Sequence, residues 1–205
     1  MTSKEIGSLS NQVRYSYAAN KSSNNPILIS VASLSGQTHK NLCKVAGFPD
    51  QWLGRAFSYS EKSLVEMHPE KSKLVYLTAD SENTIDHLED GKIYVIGGIV
   101  DRNRMKGATI KRAEELGIQT GKLPISSHLK LFSTKVLTCN HVLEIFLKYR
   151  EHGNDWKKAM LAVLPKRKDI HDVNASNNPG DESKCKDIKC VDASTHPEAV
   201  KAIIK

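Results

Sequence analysis

The chain has 205 residues, of which 39% are hydrophobic and 26% charged, and its formal net charge is +7. This length suits one domain of ordinary size, whose core would bury well over half of the surface. No apolar run approaches the roughly 20 residues that cross a bilayer, and the first residues lack the apolar core of a signal peptide. Four scattered cysteines (Cys43, Cys139, Cys185 and Cys190) form no disulfide framework. These features argue against a secreted or membrane protein and favour a reducing compartment.

A helix is predicted to open the chain, over Thr2–Asn20. Thr2 and Glu5 fit a capping box, in which each residue satisfies a free backbone N–H of the other. Four apolar residues follow at helical spacing, and they predict one buried face. These residues are Ile6, Leu9, Val13 and Tyr17.

Strands and helices are predicted to alternate in the rest of the folded part. Short β-branched runs indicate strands, and periodic apolar segments bounded by capping residues or glycine indicate helices. In chain order they are a strand at Ile27–Val31 buried on both faces, a helix at Gln37–Val45, a strand at Leu74–Thr78, a helix capped by Asp80 or Ser81, a strand at Ile93–Ile96, a helix at Arg104–Leu116 closed by Gly117, a strand at Ile118–Leu123, a helix at Thr138–Arg150, and a helix from its cap Asp155 to Leu164. This alternation predicts an α/β fold with a mostly parallel sheet flanked by helices. Ligands of such folds bind beyond the carboxyl ends of the strands.

Much of the positive charge lies in two clusters. The first is Arg102, Arg104, Lys106, Lys111 and Arg112, and the second is Lys157, Lys158, Lys166, Arg167 and Lys168. Clustered bases suggest a phosphate-rich partner, and the arginines in both clusters favour a nucleic acid. A solvated lysine face is the alternative interpretation.

The C-terminal part of the chain has a different composition. Residues 169–205 carry seven acidic and five basic residues and include a polar run at 174–183. Because this run has nothing apolar to bury, we expect a disordered tail at 169–205 and a folded domain at 1–168. Residues His196–Lys205 could form a short terminal helix.

Two glycines followed by an aspartate are the first candidate for a functional site. Gly97 and Gly98 end a predicted strand, where glycine lets a ligand approach the backbone closely; a structural turn is the alternative. Asp101 stands among arginines and lysines. It is either a salt-bridge partner of its neighbours or a base, or hydrogen-bond acceptor, where a nucleic acid docks. The neighbouring cations favour its ionised form and weaken it as a base.

Several other classes of chemistry lack their motifs. The chain has no G-x-G-x-x-G fingerprint, no P-loop and no G-x-S-x-G elbow, so a nicotinamide-dependent oxidoreductase and a hydrolase are disfavoured. The eight histidines and four cysteines never take a close metal-ligand spacing, so we expect no metal. Thr138 begins a helix whose free N–H groups suit a polar ligand, although an ordinary N-cap explains it as well.

Six segments taken together resemble the eukaryotic tRNA (guanine-9-N1) methyltransferase family, a branch of the SPOUT methyltransferases. They are Leu74–Ser81, Tyr94–Arg104, Leu116–Ile118, Leu123–Ile125, Lys135–Thr138 and Leu164–Lys168, and the resemblance covers roughly residues 3–168. It implies a C-terminal trefoil knot, which composition and periodicity do not reveal. It also implies S-adenosyl-L-methionine as methyl donor, S-adenosyl-L-homocysteine as product, tRNA as partner, a monomer, and a location in the nucleus or the cytoplasm.

The resemblance also assigns candidate site residues. Asp101 matches the candidate general base or acceptor of the guanine N1 proton. The implied cofactor-binding residues are Leu77, Thr78, Gly98, Asn103, Arg104, Met105, Lys106, Thr109, Leu123, Val136, Leu137 and Thr138. The candidate tRNA-binding residues are Arg102, Lys111, Arg112, Lys166, Arg167 and Lys168.

The start of the chain departs from the family pattern. Family members carry a basic helical extension and a strand with an early aspartate ahead of the first helix, and this sequence begins after both. We therefore expect a catalytic domain that is N-terminally shortened relative to the family. A non-catalytic tRNA-binding subunit or a degenerate methyltransferase is the alternative function.

Overall fold

The structure, a computed structural model, describes residues 1–54, 56–100, 107–130, 137–164, 171–172 and 201–204. Its helices are α1 (Ser3–Ser22), α2 (Gly36–Leu42), α3 (Leu64–Met67), α4 (Ala108–Leu116), α5 (Ile125–His128), α6 (Cys139–Glu151) and α7 (Trp156–Val163), with a 3-10 turn at Lys71–Lys73. Its strands are β1 (Leu28–Val31), β2 (Phe57–Tyr59), β3 (Leu74–Leu77), β4 (Ile93–Ile96), β5 (Gln119–Gly121), β6 (Leu129–Lys130), β7 (His171–Asp172) and β8 (Lys201–Ile204).

Six of these strands form one sheet in the order β2-β1-β8-β4-β3-β5. Every pairing within this sheet is parallel, which confirms the predicted α/β class. The two-residue strands β6 and β7 pair separately and antiparallel. Among the described helices none is long and apolar enough to cross a membrane.

Apolar clusters cover both faces of the sheet. On one face, Ile29, Tyr94 and Ile204 pack in a large cluster with residues of α1, α6 and α7. On the other face, Tyr76 and Ile203 belong to a smaller cluster that includes residues of α3 and α4. Alternate residues of a strand point to opposite faces, so neighbouring positions of one strand supply both clusters.

The first helix begins and ends through side-chain hydrogen bonds. Thr2 and Glu5 form the predicted capping box, with Glu5 N donating to Thr2 Oγ1 at 3.3 Å and Thr2 N donating to Glu5 Oε2 at 2.7 Å. Near the other end, buried Asn20 accepts a bond from Ile27 N and donates one to Ile27 O, both at 2.9 Å. These two bonds fix α1 to the residue before β1.

The two helices predicted near residue 150 are confirmed. Thr138 is the N-cap residue of α6, whose predicted inward residues are all buried. These are Val142, Ile145, Phe146 and Tyr149. Asp155 caps α7 by accepting a hydrogen bond from Lys158 N at 3.0 Å.

The helix predicted after Asp80 or Ser81 is wrong. Ser81 Oγ accepts a bond from Asn83 N at 3.1 Å and lies 2.9 Å from Thr120 Oγ1, which closes a turn instead of capping a helix. Beyond this turn, Ile85 N donates to Lys122 O at 2.9 Å. The backbone groups of this segment are therefore hydrogen-bonded to Lys122, which follows β5. A helix here would leave the N–H and C=O of Lys122 without these partners.

Two further local predictions need correction. The helix predicted from Arg104 begins at Ala108, because Gly107 has φ +73°, in the left-handed region that a right-handed helix excludes. The strand predicted to be buried on both faces has Leu28 43% exposed at its first residue.

The C-terminal residues differ most from the sequence prediction. Lys201–Ile204 form the strand β8 in the middle of the sheet, where a terminal helix and a disordered tail were predicted. Ala202, Ile203 and Ile204 alternate between the two apolar faces, a pattern that suits a central strand. The predicted domain end at Lys168 therefore leaves out one strand of the sheet, while the disorder predicted for 173–200 concerns residues outside those described.

The surroundings of His68 predict a pH dependence of stability. His68 follows α3, and burial together with the positive charge of Lys201 in β8 lowers its pKa. The unfolded chain therefore binds the proton more readily, so stability should fall as the pH drops below the ordinary histidine pKa of about 6.5 and level off below the folded-state pKa.

The expected result is that wild type loses more stability than His68→Gln between neutral pH and about pH 5. Urea unfolding at the two pH values measures this difference. Equal losses in both proteins would show that the folded protein does not lower the pKa of His68.

Candidate functional site at the carboxyl edge of the sheet

The carboxyl ends of β3, β4 and β5 lie side by side. Leu77 is in register with Ile96 on one side and with Gly121 on the other. Thr78 N donates to Gly121 O at 3.0 Å, so the residue after β3 is held directly against the end of β5. Three chain segments therefore leave the sheet together, beginning at Thr78, Gly97 and Lys122.

Gly97 lies where four elements approach one another. A Cβ atom added at Gly97 would stand 3.5 Å from Thr109 Oγ1 and 3.7 Å from Tyr76 Cε1. The thiol of Cys139 donates to Gly97 O at 3.4 Å, and it brings the start of α6 against the end of β4. The backbone at Gly97 thus contacts β3, α4 and α6.

Gln12 of α1 fixes the start of α6 from outside that helix. Its Oε1 accepts a hydrogen bond from Cys139 N at 2.9 Å, across 127 positions of sequence. Thr138, although the N-cap residue, makes no side-chain cap bond, and its hydroxyl donates to Asn140 Oδ1 at 2.8 Å. Gln12 therefore satisfies the free N–H of the first residue of α6, which an N-cap side chain does not ordinarily reach.

Neither Gln12 nor Cys139 was selected as a site residue from the sequence. The available signal in the sequence was the position of Gln12 beside Val13 and three residues after Leu9, two residues of the apolar stripe of α1. In the structure Gln12 is 7% exposed. A buried amide requires a partner, but the sequence does not say which backbone group it would reach.

Three leucines line this edge without being fully buried. Leu77, Leu123 and Leu137 are partly buried and pack against the larger apolar cluster, as does Val100 after the paired glycines. Partly exposed apolar side chains at the ends of strands are typical of a site for a flat, largely apolar ligand.

The structure thus gathers most of the described candidate residues at one edge. Leu77, Thr78, Gly98, Thr109, Leu123, Leu137 and Thr138 lie on the segments that meet around Gly97. Lys111 and Arg112 are exposed two and three residues after Thr109 in α4, and Arg112 pairs with Glu115 at 3.0 Å. Asp101, Arg102, Asn103, Arg104, Met105, Lys106, Val136, Lys166, Arg167 and Lys168 lie outside the described residues.

The thiol of Cys139 is unreactive by its surroundings. Burial raises its pKa to about 12, so the thiolate, the form that attacks electrophiles, is absent at neutral pH.

Cys43, by contrast, is exposed. We expect iodoacetamide to label Cys43 in the native protein and Cys139 only after unfolding in urea, as read by peptide mass spectrometry. Native labelling of Cys139 as fast as that of Cys43 would contradict this environment.

No metal-binding group is found among the described residues. Within the part of the chain that the structure describes, no three His, Cys, Asp or Glu side chains are close enough together to hold an ion. The polar groups described at the carboxyl edge are backbone groups, hydroxyls and a protonated thiol, and the donors among those named above bond within the protein.

The fold and the edge together define a class: a parallel α/β domain with a candidate ligand site at the ends of its strands. A family model described as tRNA (guanine(9)-N(1))-methyltransferase TRM10/TRM10A matches residues 1–169. The chain therefore belongs to this methyltransferase family.

Relatives with curated names extend from yeasts to mammals. The tRNA (guanine(9)-N1)-methyltransferase of Candida glabrata is 42% identical over 171 residues, which are 82% of this chain and 58% of that protein. The tRNA methyltransferase 10 homolog A of Homo sapiens is 39% identical over 171 residues, 82% of this chain and 48% of the relative. The chain thus spans about half the length of the curated relatives it matches.

Solved structures share the fold. The crystal structure of spTrm10(74) superposes with a TM-score of 0.74 at 39% identity, covering 80% of this chain and 88% of the other. The crystal structure of full-length spTrm10 in complex with SAH gives a TM-score of 0.73 at 38% identity, with the same coverage. These neighbours confirm the predicted fold class, and the trefoil knot stays a prediction.

Proposed function

We propose that this chain is the catalytic domain of a methyltransferase that uses S-adenosyl-L-methionine to methylate N1 of guanine at position 9 of tRNA. The observation that carries this proposal is the family match over residues 1–169, which contains every strand end that meets around Gly97. A relative of 38% identity forms a complex with SAH, the demethylated product of that donor.

The residues at the carboxyl edge fit such a donor. Leu77, Leu123 and Leu137 offer apolar surface for a purine. The backbone carbonyl oxygens that follow the strands have two lone pairs each, so they can accept a hydrogen bond from the adenine amino group besides their bonds within the protein. A site built this way needs no charged side chain to select adenine. When bound, the donor supplies an electrophilic methyl group.

Asp101 is the residue proposed to handle the proton. Guanine N1 carries a proton that must leave when the nitrogen forms its bond to carbon, and a carboxylate within hydrogen-bond reach can accept it. Asp101 follows Val100 directly, at the end of the segment that begins with Gly97. Because arginines and lysines surround it in sequence, we propose that it orients the N1–H group while water or hydroxide completes the deprotonation.

The exposed cations of α4 are proposed to hold the tRNA backbone. Lys111 and Arg112 follow Thr109 by two and three positions, so phosphates bound there would lie next to the base site. With Lys166–Lys168 they would offset the few kcal/mol that unstacking a base in the tRNA core costs.

Neutralising Lys166, Arg167 and Lys168 should weaken tRNA binding and flatten its salt dependence. An unchanged salt slope would reject this assignment.

Methylation of a defined tRNA tests the proposal. Incubation of the chain with the donor and a tRNA transcript that has guanine at position 9 should produce a reverse-transcription stop there, because N1-methylation blocks base pairing. A transcript with a pyrimidine at position 9 is the matched control. Binding of tRNA without any stop would instead support a non-catalytic tRNA-binding subunit.

Asp101→Asn then tests the role of the carboxylate. A rate that recovers at high pH, where hydroxide replaces the base, supports proton acceptance; equal depression at every pH disfavours a simple base. A rate equal to that of wild type at every pH removes Asp101 from the mechanism.

We also propose that the chain acts as a monomer in the nucleus or the cytoplasm. Sedimentation tests the oligomeric state, and imaging tests the location.

A further inference from the structure

The strand β8 occupies the centre of the sheet although it comes from the end of the chain. All four of its residues are in parallel register with β1 on one side and β4 on the other. Its position separates β2 and β1 from β4, β3 and β5 in the order of the sheet. Among the described strands, β8 is therefore the sole link between the two halves.

Three of the four side chains of β8 are as buried as any in the core, and Lys201 is exposed. Ala202, Ile203 and Ile204 are 0–1% exposed. Ala202 and Ile204 join the cluster beneath α1 and α6, and Ile203 joins the cluster on the α3 and α4 face. Withdrawal of β8 would open a cavity on both faces and leave backbone groups of β1 and β4 unpaired.

The end of β8 adjoins the candidate site. Ile204 is in register with Val31 and with Ile96, the residue before Gly97, and its carbonyl accepts a hydrogen bond from Ala32 N at 3.1 Å. Gly97 in turn accepts the thiol hydrogen bond that holds the start of α6. Ile204 of β8 is thus paired with Ile96, the residue directly before Gly97 of the candidate site.

The strand also lies outside the region that defines the family. The family match ends at residue 169, and residues 173–200 separate β8 from β7. The site residues and the strand that supports them therefore come from different parts of the chain.

We propose that β8 is a positioning element for the donor site, so that its insertion between β1 and β4 and the binding of the donor are energetically coupled. This inference rests on the proposed function. A ligand that binds only when β4 is held in place stabilises the inserted strand, and by linkage a weakened strand lowers the affinity for the ligand.

Hydrogen exchange and calorimetry on the full chain test this coupling, with S-adenosyl-L-homocysteine as the probe. In wild type the amides of residues 201–204 should be protected, and the probe should slow their exchange further. Ile203→Ala should reduce this protection and weaken binding of the probe by about tenfold, within the usual range of coupling between sites.

Ile118→Ala is the matched control, since Ile118 is 5% exposed in the same apolar cluster but precedes β5 at the opposite end of the strands. It should leave the affinity within about twofold of wild type, well below the tenfold coupling. If an alanine variant does not fold, the milder variants Ile203→Val and Ile118→Val replace the pair. Ile203→Val should again weaken binding of the probe more than Ile118→Val does.

Three outcomes would overturn the proposal. Unprotected amides at 201–204 in wild type exclude an inserted strand. Binding of the probe that Ile203→Ala and Ile203→Val leave unchanged rejects the coupling alone and leaves the proposed function standing. Absence of probe binding to the well-folded wild type removes both the coupling and the proposed function.

Discussion

Replacing Gln12 with alanine is expected to lower the free energy of unfolding by about 1–3 kcal/mol, the cost of leaving a buried backbone donor unpaired. The donor is Cys139 N, whose hydrogen bond to Gln12 Oε1 is buried and 2.9 Å long. The side chain of the N-cap residue Thr138 makes no cap bond, because its hydroxyl donates to Asn140. Since Cys139 also contacts Gly97, the loss should reduce ligand affinity as well as stability.

Gln37→Ala is the control for this change. Gln37 is an exposed glutamine in α2 whose amide bonds to Asn41 one turn away. Its removal should change stability by no more than about 0.5 kcal/mol, as is usual for a surface position. Urea unfolding compares the two variants, and equal effects would contradict the capping role of Gln12.

Gly121→Ala is expected to destabilise the protein by about 1–3 kcal/mol through overpacking. The added Cβ would stand 2.9 Å from Ile85 Cγ1 and 3.2 Å from Val75 Cγ1, and neither atom is the free end of a long side chain. Relief of these contacts would move Gly121 O away from Thr78 N, which it holds at 3.0 Å. Thermal unfolding measures the loss.

Gly7→Ala gives the opposite expectation with the same chemical change. Gly7 lies inside α1, and a Cβ there would meet nothing within 4 Å. Alanine should therefore stabilise the helix by about 0.5–1 kcal/mol, because glycine loses more backbone freedom on folding. A stabilised Gly121→Ala, or a destabilised Gly7→Ala, would contradict the packing described here.

Elements with strong local signals were predicted well from the sequence. The capping box at Thr2, the apolar stripe of α6 and the cap at Asp155 each act within a few residues of chain, and each is confirmed. The short β-branched runs that became β3 and β4 were equally clear. These features depend on neighbours in sequence, which are visible without a fold.

The errors share a different cause. The segment after Ser81 is extended because Ile85 N and Asn83 O bond to Lys122, almost 40 residues away. The strand β8 forms between β1 and β4, where its backbone pairs on both sides and its three apolar residues Ala202, Ile203 and Ile204 are buried. Neither partner is visible in the local sequence, so tertiary pairing decided the outcome.

The candidate site was predictable in its location but not in its supports. Strand ends and paired glycines indicated the carboxyl edge, and the resemblance supplied the residues there. The bond from Gln12 to α6 and the contact of Cys139 with Gly97 connect positions more than 40 residues apart. Such contacts follow from the packing of α1 on α6, which a single sequence does not specify.

Calorimetric titration with S-adenosyl-L-homocysteine tests most directly whether the carboxyl edge is the donor site. Leu137→Asp places a charge at this edge, whereas Leu161→Asp places the same charge on α7, where Leu161 is 41% exposed. We expect one binding site per chain, an affinity at least about tenfold weaker in Leu137→Asp, and an affinity close to wild type in Leu161→Asp. Absence of binding to wild type, or equal weakening by both substitutions, would contradict it.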